Sequence, residues 1–267
     1  MGQHQRQSSG DSKRMQQKIK SVTSLGCSLS FGTRIREFHK PNKIPLMVSN
    51  MRSAGYYIAQ HYGVEWHNKG LKGSGNERIV RVLPQLKDEQ KYQDTLYLIG
   101  ISAGHRREEN ALGLHKLEGS DPKTRDSTHW QTWMIVDHDL KPKHKYVPLD
   151  PWPEEFRLLV DQSTQIKTVL NILFVQNWCK QHNLNYIMFN ALYNGLDEPI
   201  TRECKSLMKF IDTKYFFNLN ADFDNCHHGW CIKHGEVINP NDEHPNVKGY
   251  QMWAEHMLPF IERLYTV

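Results

Sequence analysis

The sequence predicts one α/β domain built on a mostly parallel sheet with helices on both faces. Two observations predict it. Short apolar runs of strand length alternate along the chain with longer segments whose apolar residues recur at helical spacing. The chain also has 267 residues, 38% of them hydrophobic, which suffices for one sizeable core.

The elements follow in order. Residues 1–20 are polar, lack the apolar stretch of a secretory signal, and are expected to form a disordered tail. Residues 21–26 (SVTSLG) read as a buried strand ending in the small-residue turn Gly26-Cys27-Ser28. Met51, Ala54, Tyr57, Ile58 and Tyr62 mark one face of a helix over 50–62, and 64–67 reads as a second strand. A glycine-rich loop with Gly70, Gly73 and Gly75 leads to a helix over 76–83, capped by Asn76 and stopped near Pro84. Residues 95–101 (TLYLIGI) are a central strand. Residues 103–155 are rich in charges, histidines and prolines, and are expected to be a long insertion with little regular structure that walls the carboxyl edge of the sheet. A long helix over 156–182, a strand over 186–189, a helix over 201–211, a short strand over 215–217 and a helix over 246–264, kinked at Pro259, complete the pattern.

Composition narrows the function classes. Of the formal net charge of +5, residues 1–20 hold +4, from five basic residues against Asp11. The body is near neutral, which argues against a nucleic-acid enzyme. No apolar run approaches the roughly 20 residues of a membrane-spanning helix, so no membrane partner is expected. Five scattered cysteines without a secretion signal read as reduced thiols, and the expected location is cytoplasmic. Cys226, His227, His228, Cys231 and His234 hold soft donors, but not in the paired spacing of a structural zinc site; the expectation is a metal-free loop.

Two segments carry chemistry. Ser28 follows a strand at the entry to a helix, where backbone N–H groups favour the negative charge that nucleophilic attack creates. His244 stands beside carboxylates near the other end of the chain, where it can be held in one tautomer and accept a serine proton. His105, Arg106 and Arg107 follow the central strand and could meet an anionic group. Trp130, Trp133 and Trp152 could offer apolar or sugar-stacking surface.

Four blocks in this order resemble the SGNH (GDSL-type) hydrolase superfamily. Gly26–Gly32 is similar to the G-D-S-x-x-x-G nucleophile block, and Asn68–Gly73 to N-x-G-x-x-G. Leu98–Ser102 sits where the family has G-x-N-D. Asp242–Asn246, followed by Gly249 and Tyr250, is similar to the D-x-x-H block and its continuation. The resemblance implies a three-layer α/β/α fold with a flavodoxin-like sheet. It implies a serine esterase or carbohydrate O-deacetylase that forms an acyl-serine intermediate without a cofactor or metal. Ser28 would be the nucleophile and His244 the base. The backbone N–H groups of Ser28 and Gly73, with the Ser102 hydroxyl, would form the oxyanion hole. The chain departs from the pattern at three places. Cys27 replaces an aspartate, Ser102 replaces the oxyanion-hole asparagine, and Asn241 stands three residues before His244 while Asp242 stands two before it. Either the loop is remodelled so that Asp242 orients the imidazole, or the acid is missing. The altered blocks are similar to those of divergent members from tailed bacteriophages. This implies the alternative of a weakened or inactive domain with a binding or virion-structural role.

Overall fold

The computed structural model describes residues 19–32, 52–71, 74–86, 94–104, 106–110, 130–136, 146–148, 154–199, 201–240 and 242–265; for 31, 106–110, 130–136, 146–148 and 154–161 this extends to the backbone alone. The central sheet contains β1 (Ser21–Leu25), β2 (Glu65–Asn68), β3 (Thr95–Ile101), β7 (Asn185–Asn190) and β8 (Phe216–Phe217) in the order β2-β1-β3-β7-β8. Every neighbouring pair is parallel. This is the flavodoxin-like order, in which ligands collect beyond the carboxyl ends of the strands.

The period of two along buried strands divides the core between two faces. Tyr97, Ile99 and Ile101 of β3, with Tyr186 and Met188 of β7, face one apolar cluster. It includes Ile79, Leu83 and Leu86 of α3 (Asn76–Leu86) and Val169, Ile172 and Val175 of α4 (Glu154–Gln181). Leu96 and Leu98, with Ile187 and Phe189, face the other. There they meet Ile58 of α2 (Ala54–Tyr62) and Trp253, Met257 and Ile261 of α7 (Val247–Leu264). Both faces of the sheet are therefore covered, and the architecture is three-layer α/β/α. Ile19 belongs to the second cluster and Lys20 pairs with Asp94 at 2.5 Å, so the folded body begins within the segment expected to be tail.

Three expectations are corrected. The 103–155 segment contains regular structure. Strand β4 (Arg106–Asn110) pairs antiparallel with β5 (Trp130–Val136), which pairs in parallel with β6 (Tyr146–Pro148), and β4 contacts α3. Only β4 (RREEN) is charged; β5 (WQTWMIV) and β6 (YVP) are β-prone, and the charged and proline-rich residues between them obscured the pattern. The Cys226–His234 segment is not a loop: it contains α6 (His227–Lys233). Helix α3 runs past Pro84 to Leu86. A proline removes only its own N–H bond to the carbonyl four residues earlier, a small loss so near a helix end.

Between Asn246, the cap of α7, and α6 lies an antiparallel pair absent from the sequence reading, β9 (Val237–Asn239) and β10 (Asp242–Pro245). Asn246 accepts the Gly249 N–H at 2.8 Å and donates to Glu236 Oε2 at 3.1 Å. A Cβ on Gly249 would lie 2.4 Å from the Glu236 carbonyl. The start of α7 is thus pressed onto the segment before β9, which fixes where β10 runs.

The turn leaving β1 is as tight. Gly26 has φ +135°, and a Cβ there would meet Ser30 Oγ at 2.5 Å and the Gly100 carbonyl at 2.6 Å. Both the backbone angle and the contact exclude a side chain. Gly26→Ala is expected to lower unfolding free energy by about 3 kcal/mol, read as a drop in the urea midpoint. A loss below about 0.5 kcal/mol would contradict this packing.

Candidate active site

Ser28 opens α1 (Ser28–Phe31) directly beyond β1 and is 3% exposed. Cys27 precedes it as the N-cap, but its side chain makes no capping bond. The Cys27 side chain is fully buried in the cluster that includes Val22, Leu29 and Trp253. The cysteine standing beside the serine in sequence therefore points into the core, and Ser28 is the residue at the sheet edge.

The loop after β2 is sewn to this turn. Lys69 N–H donates to the Ser24 carbonyl and Leu71 N–H to the Gly26 carbonyl, both at 2.9 Å. Ser74 Oγ donates to the same Gly26 carbonyl at 3.0 Å. Asn68 Oδ1 accepts Gly70 N–H at 3.0 Å, and Arg78 Nη1 donates to the Lys69 carbonyl at 2.7 Å. The first two sequence blocks are consequently one hydrogen-bonded unit. Gly73 of the expected oxyanion hole lies outside the described residues.

Ser102 is fully buried just beyond β3. The register pairs Leu25 with Ile99, so Ser28 and Ser102 each stand three residues beyond paired positions on adjacent strands. Asn76 was expected to cap its own helix. Its side chain instead clamps the Ser102 backbone: Oδ1 accepts the Ser102 N–H at 2.7 Å, and Nδ2 donates to the Ser102 carbonyl at 3.0 Å. Asn76 is a site-supporting residue that sequence reasoning missed. Its only signal was an asparagine at a helix start, which ordinarily means a cap.

The histidine comes from the far end of the chain. His244 Nε2 lies 3.3 Å from Ser28 Oγ, and His244 Nδ1 lies 2.7 Å from Asp242 Oδ1. With the proton on Nδ1 donated to the carboxylate, Nε2 is left to accept from the serine hydroxyl. The two-residue spacing works because both residues sit on β10, where residues i and i+2 share a face. Of the two alternatives the sequence left, the remodelled segment is the one present, and it is a strand. A register irregularity between Asp242 and Pro245 adds local twist of the kind that re-aims side chains. Asn241 lies outside the described residues. The Asp242 side chain is largely buried and that of His244 partly open.

His105 also lies outside the described residues. Arg106 and Arg107 stand on β4 and Trp130 and Trp133 on β5, in the register Arg107–Trp133 and Asn110–Trp130. Trp152 lies outside the described residues. The cysteine cluster is used in packing. Cys226 Sγ donates to the Phe223 carbonyl at 3.1 Å and accepts Gly229 N–H at 3.4 Å, while Cys231 Sγ donates to the Gly249 carbonyl. Burial pushes both thiols up, away from the thiolate that binds metal or attacks.

A strand-end serine beside β3 and a histidine–carboxylate pair ahead of the last helix thus meet at one edge of a 2-1-3-4-5 sheet. The arrangement resembles that of the SGNH hydrolases. Structure comparison finds solved structures of low identity that align over most of both chains. A catalytic mutant of the acetylxylan esterase Axe2 from Geobacillus stearothermophilus is 13% identical, with 94% of this chain and 98% of that chain covered at a TM-score of 0.43. A protein assigned to the G-D-S-L lipolytic family from Desulfitobacterium hafniense DCB-2 is 11% identical (90% and 99%, TM-score 0.38). LAE5, an α/β hydrolase from the Lake Arreo metagenome, is 12% identical (93% and 98%, TM-score 0.37). No protein-family model and no curated protein matches the sequence.

One buried histidine, His227, lies far from its ordinary protonation range. Burial, with a smaller contribution from His228, lowers His227 to about 3 from the usual 6.5. A base with a depressed folded value is neutral in the native state while the unfolded chain takes up a proton below 6.5. Its penalty is therefore absent above pH 6.5 and grows as pH falls towards 3. This histidine is expected to lower stability by at most ~1.4 kcal/mol per pH unit across that window. Chemical denaturation of the parent and of His227→Phe should differ in slope between pH 6 and 4; parallel profiles would refute the assignment.

Proposed function

We propose that this protein is a serine esterase that hydrolyses small esters through an acyl-serine intermediate. The observation that carries the reading is the continuous contact from Asp242 Oδ1 through His244 to Ser28 Oγ, at 2.7 and 3.3 Å. Ser28 Oγ attacks the ester carbonyl while its proton passes to His244 Nε2. Asp242 holds the Nδ1–H tautomer and stabilises the imidazolium that forms. The tetrahedral oxyanion is received by the backbone N–H groups of Ser28 and Gly73 and by the Ser102 hydroxyl, with Asn76 holding the Ser102 backbone in place. Collapse breaks the bond to the alcohol, which leaves with the proton from His244. Water then attacks the acyl-serine by the same base, releasing the acid and restoring Ser28. Apart from the hydrolytic water, each of these steps is assigned to side chains and backbone of the chain itself.

The buried position of Ser28 favours a small acyl group, because a bulky one would need the surrounding loops displaced. An O-acetyl group on a carbohydrate is the substrate class this reading puts first.

With p-nitrophenyl acetate and acetylated xylooligosaccharides as substrates, Ser28→Ala and His244→Ala are expected to abolish hydrolysis. Asp242→Asn is expected to lower kcat by on the order of 10²–10⁴-fold. A fluorophosphonate probe should modify Ser28 in the parent protein, and Cys27→Ala should retain that labelling. Equal trace rates in the parent and all three triad variants, with no labelled serine, would refute the reading and leave a binding or structural role for the domain.

A further inference from the structure

The loop leaving β7 and the turn ahead of α6 each present an aromatic ring to solvent. Tyr193 is 39% exposed and Phe223 42%, and their rings meet edge to face with centroids 6.3 Å apart. Both backbones are braced from beneath. The Tyr193 loop stands on the buried side chains of Asn190, Asn194 and Gln165. Asn190 Nδ2 donates to the Asn218 and Leu219 carbonyls at 3.0 and 2.9 Å, and Asn194 Nδ2 donates to Asn190 Oδ1 at 2.8 Å. Gln165 Nε2 donates to the Gly195 carbonyl at 2.7 Å. The Phe223 carbonyl accepts from Cys226 Sγ at 3.1 Å, and a Cβ on Gly229 would lie 1.9 Å from it. A single exposed ring needs no explanation. Two touching rings on braced loops at the carboxyl edge of a parallel sheet are placed as contact residues for a ligand.

The pair is joined to the candidate active site on two sides. The N–H groups of Ala191 and Leu192 donate to the Ile101 carbonyl at 2.9 and 3.3 Å, one residue before Ser102. The His228 ring meets Phe223 edge-on at 6.0 Å, and its Nε2 lies 3.8 Å from Oε2 of Glu243, the residue between Asp242 and His244. In acyl transfer the alcohol leaves with the proton carried by the histidine, so the alcohol half of an ester lies on the histidine side. The groups around the rings select its chemistry. The Tyr193 hydroxyl is bonded to Asp197; burial, then that carboxylate, then Glu198 and Asp222 push the phenol up. Glu243 adds a further exposed carboxylate beyond His228. Such a field repels an anionic alcohol. A cation is drawn to it, but two rings open to water at 70° form no enclosing cage. A neutral sugar uses both features, laying its C–H face on a ring and donating its hydroxyls to the carboxylates.

We propose that Tyr193 and Phe223 form a platform that binds a neutral sugar ring, the alcohol part of the ester, beside Ser28 and His244. The platform stands on the contacts of the two rings and their loops; its part in hydrolysis rests on the esterase reading.

Two measurements test the two parts. Binding comes first and uses no ester: xylotetraose and cellotetraose are titrated into the full chain by calorimetry. At least one should bind saturably, and Tyr193→Ala and Phe223→Ala should each weaken it about tenfold, while Tyr193→Phe, which keeps the ring, costs less than about threefold. Binding of neither sugar by the parent, or equal binding by the alanine variants, would overturn the platform. So would tighter binding of tetramethylammonium or of an oligogalacturonate that is lost in the same variants. For the role in hydrolysis, kcat/KM on acetylated xylooligosaccharides is compared with that on ethyl acetate, whose alcohol is too small to span to the rings. Tyr193→Ala should lower this ratio about tenfold, through KM on the sugar. Equal losses on both substrates would overturn the assignment of the alcohol subsite. A parent that binds the sugar and hydrolyses neither substrate refutes the esterase reading and leaves the platform standing as a binding site.

Discussion

The turn from β1 into α1 is the constraint on which the site depends. Three groups compete for one small volume there: the Gly26 backbone, the Gly100 carbonyl on the adjacent strand and the Ser30 hydroxyl. They fit only because neither strand carries a side chain at the crossing and because Gly26 takes φ +135°, which an L side chain tolerates poorly. The consequence is that Ser28 leaves the sheet at one fixed point. The Gly26 carbonyl, freed by the turn, accepts from Leu71 N–H and Ser74 Oγ and draws the loop after β2 onto the turn that carries Ser28.

A second constraint acts from the other end of the chain. The start of α7 is pressed against the Glu236 backbone at Gly249 and capped by Asn246, while Tyr250 and Trp253 fill the core beneath. With both ends of the β9–β10 pair so held, β10 presents Asp242 and His244 from the same side, and the imidazole spans from carboxylate to serine. Parallel strand order brings these ends together although they are more than 200 residues apart in sequence: β1 is internal, and α7, which packs on the same face as Cys27 and Leu29, begins just after His244.

The cysteines illustrate how burial decides role. Cys27 adjoins Ser28 in sequence and is core in space. Cys226 and Cys231 look like soft ligands in the sequence and instead fasten α6 to its neighbours, with thiols that burial keeps protonated. His227, between them, is buried and neutral, stacked on Trp253.

What the sequence determined by itself is the layer architecture and the two candidate side chains, Ser28 and His244, that the fold brings together. Strands such as TLYLIGI are apolar on both faces, which only a sheet covered on both sides can bury, and a serine after such a strand must emerge at its carboxyl edge. Short-range chemistry of this kind is legible because it depends on residues close together in the chain. Tertiary structure alone decided which carboxylate meets the His244 ring, because strand and turn place different neighbours on one face and the pairing of β10 with β9 selects the strand. It also turned Asn76 from a helix cap into a clamp on Ser102, gave the charged 103–155 segment a small sheet, and made Cys226–His234 a packed helix. Each of these depends on partners distant in sequence, and a hydrogen-bonding side chain does not record in its own identity which of them it will meet.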